Sequence, residues 1–241
     1  MQLSNNKILI TGGATGIGLG LAAQFLKEGN TVIVCGRRKE ALQSAAKQLP
    51  GLITRPCDLS SETGREELFS WISDTHPDLN VLINNAGIQN RMGIDGPDFY
   101  RRSKEEIDIN VLAPLHLTSL FLGLASLRTI MNVTSGLAFV PLAAAPTYSA
   151  TKAFLRSFTL STRALVRSKD IEVVEIIPPA INTDLGGKGV HDAAPPVKDF
   201  IDAIFAQLRE GKTELTFRFS ATVSQAGADI LQATFARMNG G

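Results

Sequence analysis

One segment near the start of the chain determines the fold: Lys7-Ile8-Leu9-Ile10-Thr11-Gly12-Gly13-Ala14-Thr15-Gly16-Ile17-Gly18. Its apolar first half predicts a buried strand, and residues 19–27 continue at helical spacing. Glycines in the turn let the backbone bend sharply and approach a bound group, while free N–H groups and the dipole at a helix start attract negative charge. A strand, this turn and a helix in succession are typical of a site for the pyrophosphate of a dinucleotide. A tight turn that only packs the helix on the strand is the alternative.

Further apolar, β-branched runs follow at intervals that leave room for helices. The seven predicted strands are Lys7 to Thr11, Thr31 to Cys35, Leu52 to Pro56, Asn80 to Asn84, Thr129 to Thr134, Ile171 to Ile177 and Thr213 to Phe219. Most are apolar throughout, as expected where helices cover both faces of a parallel sheet. Capping-box patterns at Ser103 with Glu106 and at Thr63 with Glu66 predict two helix starts. The sequence therefore predicts an α/β protein, a single Rossmann-type doubly wound parallel sheet of about seven strands with helices on both faces, in one domain over residues 1–241.

The composition excludes several classes of protein. Of 241 residues, 44% are hydrophobic and 20% are charged, and a net charge of +1 provides no field for holding nucleic acid or an anionic membrane. Two cysteines, Cys35 and Cys57, are too few for a disulfide framework and share no metal-ligand spacing with the three histidines. Residues 1–7 lack the basic start of a signal peptide, and residues 110–127 carry too many polar groups for a membrane span. We expect a cytoplasmic protein that does not bind nucleic acid, membranes or a metal.

The end of the second strand indicates which dinucleotide the site would take. It continues as Gly36-Arg37-Arg38, at the place where a carboxylate would bind the ribose 2′-hydroxyl of NAD. A carboxylate would repel a 2′-phosphate, whereas Gly36 leaves room for it and Arg37 can donate a planar fork to its oxygens. We therefore predict NADP(H) in preference to NAD(H). The alternative is that both arginines are solvated charges at a helix start.

A tyrosine and a lysine at helical spacing, in Tyr148-Ser149-Ala150-Thr151-Lys152, are the candidate reacting groups. Residues four apart share one helix face, so the two side chains can act together. A lysine cation beside a phenol stabilises the phenolate, and the pKa of Tyr148 is expected to fall from its usual value near 10. Ser135, directly after the fifth strand, could hydrogen-bond a carbonyl oxygen beside Tyr148. A surface helix pair and an ordinary strand-end hydroxyl are the alternatives.

Together these motifs resemble the classical short-chain dehydrogenase/reductase family. The resemblance spans residues 7 to about 184 and includes, in chain order, Thr11-Gly12-x-x-x-Gly16-x-Gly18, Asp58, Asn84-Asn85-Ala86-Gly87, Asn110, Ser135 and Tyr148-x-x-x-Lys152. It implies a catalytic tetrad of Asn110, Ser135, Tyr148 and Lys152. The cofactor contacts that it implies are Gly12, Thr15, Gly16, Ile17, Gly18, Arg37, Arg38, Asp58, Leu59, Asn85, Ala86, Gly87, Tyr148, Lys152, Pro178, Ile181 and Thr183.

The activity implied by this resemblance is hydride transfer between a nicotinamide and a carbonyl carbon, in which Ser135 and Tyr148 stabilise the oxyanion and Tyr148 donates the proton. We expect the substrate to be a small to medium, largely apolar ketone, aldehyde or secondary alcohol. Pro178-Pro179 stands where the family usually has Pro-Gly, and with residues 135–141 it looks like the subgroup named for D-alanine esterification of teichoic acids. That name suggests an esterase with Ser135 as its nucleophile, although no Gly-x-Ser-x-Gly elbow surrounds this serine. A non-catalytic nucleotide-sensing module is the other rival.

Two helical segments bear on assembly. Apolar, small and uncharged residues dominate residues 111–127 and 153–166, and the corresponding helices of the family pair across subunits. The resemblance therefore implies a homodimer or homotetramer. Arg101-Arg102, just before the first of these segments, belongs to a small basic cluster to which the sequence assigns no ligand.

The segment from Thr183 to Pro196 is predicted to be a mobile lid over the substrate. It follows the sixth strand, and open α/β sheets bind ligands beyond the carboxyl ends of their strands. Three glycines lie in its first half, and two prolines end it before a helix that starts near Val197. A disordered linker is the alternative.

Overall fold

A computed structural model, which describes residues 2–240, contains a seven-stranded sheet in which all neighbouring strands are parallel. The strands are β1 (Lys7–Thr11), β2 (Thr31–Gly36), β3 (Ile53–Pro56), β4 (Val81–Asn84), β5 (Thr129–Val133), β6 (Glu172–Ile177) and β7 (Glu214–Thr216). Their order across the sheet is β3-β2-β1-β4-β5-β6-β7. The predicted doubly wound fold is confirmed.

Helices connect the strands and cover both faces of the sheet. They are α1 (Gly16–Lys27), α2 (Lys39–Gln48), α3 (Glu62–Thr75), α4 (Phe99–Ile107), α5 (Ala113–Phe121), α6 (Pro146–Leu165), α7 (Val197–Arg209), α8 (Phe219–Ser224) and α9 (Ala228–Met238). A π-helical turn, Asp108–Leu112, joins α4 to α5 without a break. Between residues 2 and 240, no helix combines the length and apolar character needed to cross a membrane.

The core lies in two layers, one on each face of the sheet, because side chains alternate along a strand. In β1, Ile8 and Ile10 pack in the layer that contains Phe25 of α1, whereas Leu9 faces the opposite layer. The first layer also contains Phe205 of α7, whose ring meets that of Phe25 edge-on at a centroid distance of 4.8 Å. A strand that is buried on both sides needs apolar residues at every position, which explains the unbroken apolar runs of the sequence.

The strand ends lie close to their predicted positions, with one larger difference. The seventh strand was expected to reach Phe219, but β7 ends at Thr216 because Arg218 turns the chain with a φ of +50° and α8 begins at Phe219. The Ser220 hydroxyl stabilises this turn by accepting the N–H of Phe217 at 2.9 Å.

Both capping-box predictions are wrong. Helix α4 begins at Phe99, so Ser103 and Glu106 lie inside the helix, where their side chains bind other segments. Helix α3 begins at Glu62, and Ser61 instead of Thr63 is its cap, accepting the N–H of Gly64 at 3.2 Å. Both pairs of residues do lie in helices. The spacing of a capping box, however, also occurs in the interior of a helix whose polar side chains pack against neighbouring segments.

The sheet positions a site at its centre. The chain runs from β1 outward to β2 and β3 and then returns to place β4 on the other side of β1. The connections after β1 and β4 therefore leave in opposite directions and open a crevice at the carboxyl ends of these strands. Open α/β sheets bind their ligands at such a switch point.

Candidate active site

The turn between β1 and α1 requires glycine at several positions. Gly12 has a φ of +64°, and a Cβ on it would lie 2.9 Å from the Cα of Ala86. Gly16 has a φ of +56°, and a Cβ on Gly18 would lie 2.5 Å from the carbonyl oxygen of Gly12. Side chains at these positions would thus force the backbone apart. The loop after β4 is fixed against this turn, because Asn85 Nδ2 donates to the carbonyl oxygen of Thr11 at 2.9 Å.

The start of α1 can accept an anion. Thr15 is the N-cap, yet its side chain makes no capping hydrogen bond and the first turn holds no acidic residue. The N–H groups at this end and the positive end of the helix dipole are therefore uncompensated by carboxylates. A backbone cradle of this kind fits a pyrophosphate group.

The carboxyl end of β2 offers space next to two cations. A Cβ on Gly36 would meet no heavy atom within 4 Å. Arg37 and Arg38 line the cleft beside it, and Arg38 Nη2 donates to Thr15 Oγ1 at 3.2 Å. Asp58 lies after β3, and the Ser60 hydroxyl that donates to it lowers its pKa, with a smaller contribution from the Arg37 charge. This end of the cleft can thus hold an additional phosphate next to an ionised carboxylate.

Three polar side chains meet at the other end of the cleft. Tyr148 lies on α6, and its hydroxyl lies near that of Ser135, which follows β5, so that Ser135 partly offsets the rise in the pKa of Tyr148. Lys152, one helical turn after Tyr148, donates from Nζ to the carbonyl oxygen of Val133 at 2.8 Å and lies 5.6 Å from the centre of the tyrosine ring. All three side chains are buried. A carbonyl oxygen placed here would meet two hydroxyl groups.

The pKa of Tyr148 differs from the expectation. Burial raises it above its usual value, the hydrogen bond from Ser135 opposes this effect, and the charge of Glu106 adds to it. Burial also lowers the pKa of Lys152 to about 8. The expected lowering of the tyrosine pKa by the lysine is wrong for the protein alone, because both side chains lie out of water and the loss of hydration penalises both charged forms.

Asn110 lies in the π-helical turn and does not line the cleft. It is fully buried, and its amide bridges the backbone of Ile88: Oδ1 accepts the N–H at 2.9 Å and Nδ2 donates to the carbonyl oxygen at 2.8 Å. Nδ2 also donates to Thr151 Oγ1 at 3.1 Å. The amide therefore links the loop after β4 to helix α6 directly beside the predicted reacting groups.

A single cleft of about 1670 Å³ contains nearly every residue that the sequence selected. It is lined by Gly12, Thr15, Gly16, Ile17, Gly18, Arg37, Arg38, Asp58, Leu59, Asn85, Ala86, Gly87, Ser135, Tyr148, Lys152, Pro178, Ile181 and Thr183. Asn110 is the exception and supports the wall from behind. The structure thus brings the glycine-rich turn and the tyrosine-lysine pair into one site.

Several residues of this site were not selected from the sequence. The cleft is also lined by Gln89, Asn90, Arg91, Arg102, Leu142, His191, Arg218, Phe219 and Met238. They come from loops and helix ends with no recognisable motif. The one available signal was the basic pair Arg101-Arg102, to which no ligand had been assigned.

The Ser135 hydroxyl makes no hydrogen bond to a histidine within residues 2–240. It accepts the N–H of Leu137 at 3.1 Å and lies in the same cleft as Tyr148. His116 lies elsewhere, where its Nδ1 accepts the Nε–H of Arg65 at 3.1 Å. Within residues 2–240, nothing in hydrogen-bond distance of Ser135 could activate it as an esterase nucleophile in the usual way.

One group of side chains has the composition of a metal site. The carboxylates of Glu62 and Glu66 and a ring nitrogen of His116 have ligand atoms within 4.8 Å of one another. Both acids are exposed, and His116 already accepts a hydrogen bond from Arg65. The guanidinium beside the ring would repel a cation, so these residues are poorly suited to hold one.

Fold and cleft together define a dinucleotide-binding oxidoreductase of the Rossmann class. The model of the short chain dehydrogenase family matches residues 6–193. The chain belongs to this family, as its motifs had indicated.

Similar proteins extend this comparison. Over 230 residues the chain is 42% identical to the uncharacterized oxidoreductase DltE of Bacillus subtilis (strain 168), covering 90% of this chain and 89% of the relative. It is 31% identical over 180 residues to a serine 3-dehydrogenase of Agrobacterium fabrum, covering 73% and 72%. The crystal structure of a short chain dehydrogenase from Burkholderia cenocepacia J2315 in complex with NADP superimposes with a TM-score of 0.85 at 26% identity, over 99% of both chains. The resemblance to the DltE-like subgroup is confirmed.

Proposed function

We propose that this oxidoreductase transfers a hydride between NADP(H) and a small to medium ketone, aldehyde or secondary alcohol. One observation carries the proposal: the hydroxyls of Tyr148 and Ser135, with Lys152 one turn away, lie in the same cleft as the glycine-rich cradle. A cleft that ends at a proton donor and begins at a pyrophosphate site has the length and chemistry for a reaction on a dinucleotide. The Burkholderia relative in complex with NADP supports the choice of cofactor.

The residues that would hold the cofactor follow from the shape of the cleft. The backbone from Gly12 to Gly18 and the start of α1 would hold the pyrophosphate. Arg37, next to the open space at Gly36, would bind the 2′-phosphate, and Asp58 would accept from the adenine amino group. Lys152 and the walls at residues 85–87 and 178–183 would hold the nicotinamide half. When bound, the nicotinamide supplies or accepts the hydride.

The side chains of the protein would supply the proton and stabilise the negative charge that develops on the carbonyl oxygen of the substrate. Tyr148 donates its phenolic proton to the carbonyl oxygen as negative charge develops there, and the Ser135 hydroxyl donates a second hydrogen bond. A raised tyrosine pKa keeps the phenol protonated in the protein alone. The Lys152 cation, brought near the ring by α6, would stabilise the phenolate that remains. Asn110 would hold the loop and helix that surround these groups. Alcohol oxidation reverses the steps.

The walls of the cleft around Tyr148 favour a largely apolar substrate body. Leu137, Leu142, Phe219 and Met238 line this part. Such walls would bind a hydrocarbon body by excluding water, while the two hydroxyls fix its carbonyl group.

The decisive experiment follows NADPH consumption with a broad panel of ketones and aldehydes. Tyr148→Phe removes the phenolic hydroxyl that carries the transferable proton, and we expect a loss of turnover of about 10²- to 10⁴-fold with NADPH binding nearly intact. The chain has one other tyrosine, the exposed Tyr100, so Tyr100→Phe is a matched control that should keep full activity. Wild-type turnover in Tyr148→Phe would overturn the proposal. Binding of NADPH without turnover of any carbonyl compound would favour a sensing module instead.

We also propose that α5 and α6 pair across subunits in a homodimer or homotetramer. Large apolar side chains on both helices have 39% to 41% of their surface exposed, namely Leu115 on α5 and Phe154 and Leu160 on α6. Exposed apolar groups on adjacent helices favour association. Light scattering on the purified protein tests this, and Phe154→Glu should shift the measured mass to that of a monomer.

A further inference from the structure

The end of the cleft near Tyr148 is rich in positive charge. Arg91, Arg102 and Arg218 line the cleft, and Arg102 is joined to the Tyr148 region because the next residue, Ser103, is hydrogen-bonded with Thr147. The acidic residues that line the cleft are Asp58, after β3, and Asp184, after β6. Within the described part of the chain, no carboxylate oxygen lies within 4 Å of these three guanidinium groups. The lining of the cleft thus combines apolar side chains with three arginines that have no carboxylate partner within residues 2–240.

Arg102 is held in place by a neutral partner. Its Nε and Nη2 donate to Oδ1 of Asn90 at 3.3 and 3.0 Å, and the Asn90 N–H donates to a carboxylate oxygen of Glu106. Ser103, the next residue, shares a 2.8 Å hydrogen bond with Thr147, which precedes Tyr148. The guanidinium is therefore fixed relative to the tyrosine, and an amide partner leaves its charge unneutralised.

Arg101, the residue before Arg102 on α4, lies at an ordinary surface position and serves as a comparison. Arg101 points outward, where it forms ion pairs with Asp98 at 3.3 Å and Glu105 at 2.8 Å. Lys104 is likewise paired, with Asp108 at 2.7 Å. Among the basic residues of α4, Arg102 alone faces the cleft, and it lacks a carboxylate partner within residues 2–240.

The buried Glu106 supports Arg102 without neutralising it. One of its oxygens holds the Asn90 N–H, and the other is buried with no hydrogen-bond partner in the described residues. Burial raises the pKa of Glu106, and the nearby Arg102 charge only opposes this in part. Arg91 follows Asn90 in the same loop and lies close enough to His191 that its charge adds to the lowering of the histidine pKa by burial.

We propose that the substrate carries an anionic group, a carboxylate or a phosphate, which Arg102 and Arg91 bind while the carbonyl group lies at Tyr148 and Ser135. This inference rests on the proposed function and narrows its substrate class to apolar carbonyl compounds with an anionic end. The planar fork of Arg102 suits either group. The same contact would fix the distance between the anionic end and the reacting carbonyl, and so select among chain lengths.

Matched substrates test this with NADPH as the reductant. A 3-oxo acid is compared with its methyl ester, and a phosphorylated ketone with its dephosphorylated form, in the wild type, Arg102→Met and Arg101→Met. A charge-assisted contact predicts that the anionic member has a kcat/KM at least about 10-fold higher, expressed mainly in KM. Arg102→Met should abolish the advantage, so that the anionic and neutral members have similar kcat/KM values in this variant, and Arg101→Met should keep it. The better of the two anionic compounds identifies the group.

Equal kcat/KM for the anionic and neutral members, or an advantage that survives in Arg102→Met, would overturn the inference while leaving the proposed function intact. Failure of the proposed function has a different signature: no compound is reduced, or Tyr148→Phe retains wild-type turnover. Should Arg102→Met fail to bind NADPH or to unfold cooperatively, Arg102→Lys and Arg91→Met replace it. Both should reduce the advantage, and an unchanged advantage in both would count against the site.

Discussion

Glu106 and Asn110 lie one helical turn apart and hold the same loop from one side. Asn110 binds both backbone groups of Ile88, and Glu106 accepts the N–H of Asn90, two residues farther along. The helix that carries them thus fixes the loop between β4 and α4 over three residues. Because this loop lines the cleft, a buried carboxylate and a buried amide that do not line the cleft themselves support its wall.

Replacing the buried carboxylate should change how stability depends on pH. Burial raises the pKa of Glu106, so the folded protein keeps this proton at pH values where the unfolded chain has lost it. The folded state then binds more protons than the unfolded state, and the free energy of unfolding falls as pH rises from about 4.3 through the folded pKa. Glu106→Gln removes this contribution while retaining an oxygen for Asn90.

Urea unfolding of the wild type, Glu106→Gln and Glu105→Gln between pH 4.5 and 7.5 measures the effect. As the pH rises, the free energy of unfolding of the wild type should fall relative to that of Glu106→Gln. The exposed Glu105 is the control, and its variant should follow the wild type closely. If the free energies of unfolding of Glu106→Gln and the wild type changed in parallel with pH, the Glu106 carboxyl group would have the same pKa in the folded protein as in the unfolded chain.

A second buried carboxylate stabilises the region behind the reacting groups. Glu175 on β6 is fully buried, accepts from Thr134 Oγ1 at 2.7 Å and pairs with Arg156 of α6 at 2.6 Å. The Arg156 guanidinium also lies 4.2 Å from the ring centre of Phe139. Removal of one partner leaves a buried charge uncompensated, so Arg156→Met should lower the free energy of unfolding by about 3–5 kcal/mol.

Denaturant titration checks this value, with the exposed Arg167→Met as the control, for which we expect a change within about 0.5 kcal/mol. The double variant Arg156→Met with Glu175→Gln should recover part of the loss because the orphaned charge is gone. A loss below about 1 kcal/mol in Arg156→Met would indicate that Glu175 takes up a proton and does not remain as an uncompensated charge.

The sequence predicted the parts of this protein that depend on local patterns. Each strand is buried on both faces and therefore appears as an apolar run, and the cradle at Gly12 to Gly18 needs glycine for reasons visible in its backbone angles. Tyr148 and Lys152 are four apart on one helix. Where the outcome depended on contacts across the fold, the prediction failed. Ser103 and Glu106 have the spacing of a capping box but bind Thr147 and Asn90.

Burial explains the other failures. Charge spacing alone predicted a lowered tyrosine pKa, whereas the loss of hydration determines its direction in the folded protein. Arg101 and Arg102 are indistinguishable in sequence, and only the rotation of α4 places one in solvent and the other in the cleft. Local spacing does not report which face of a helix a neighbouring segment will cover.

Cofactor selection should depend on the end of β2. We expect the wild type to prefer NADPH over NADH by about 10- to 100-fold in kcat/KM, the value of one charge-assisted hydrogen bond. Gly36→Asp with Arg37→Ala should reverse or abolish this preference, and the space around Gly36 accommodates the new side chain. Lys39→Ala, an exposed charge at the start of α2, is the control that should preserve it. A wild type that prefers NADH, or a double variant with unchanged selectivity, would refute the assignment of Arg37.

The segment from Thr183 to Pro196 is built as a loop with a closed base. The N–H of Asn182 donates to the carbonyl oxygen of Pro195 at 2.9 Å, which joins the two ends of the segment next to β6 and α7. Gly186, Gly187 and Gly189 all have positive φ, and no helix or strand forms between them and Pro196. Leu185 and His191 nevertheless line the cleft. A loop with a fixed base and few large apolar anchors can move as a unit over the site.

We therefore predict that the binding of cofactor and substrate orders this loop. Hydrogen exchange of residues 185–194 should slow when NADPH and an unreactive carbonyl analogue are added together, because closure over the ligands removes the exposed amides from water. Residues 167–169, a solvent-exposed turn remote from the cleft, provide the internal control and should exchange at the same rate in both states. Gly187 has a φ of +127°, which alanine adopts only with strain. Gly187→Ala should therefore reduce the protection from hydrogen exchange that the ligands confer on residues 185–194. Equal exchange of residues 185–194 with and without ligands would exclude a lid and leave the segment as a connection between β6 and α7.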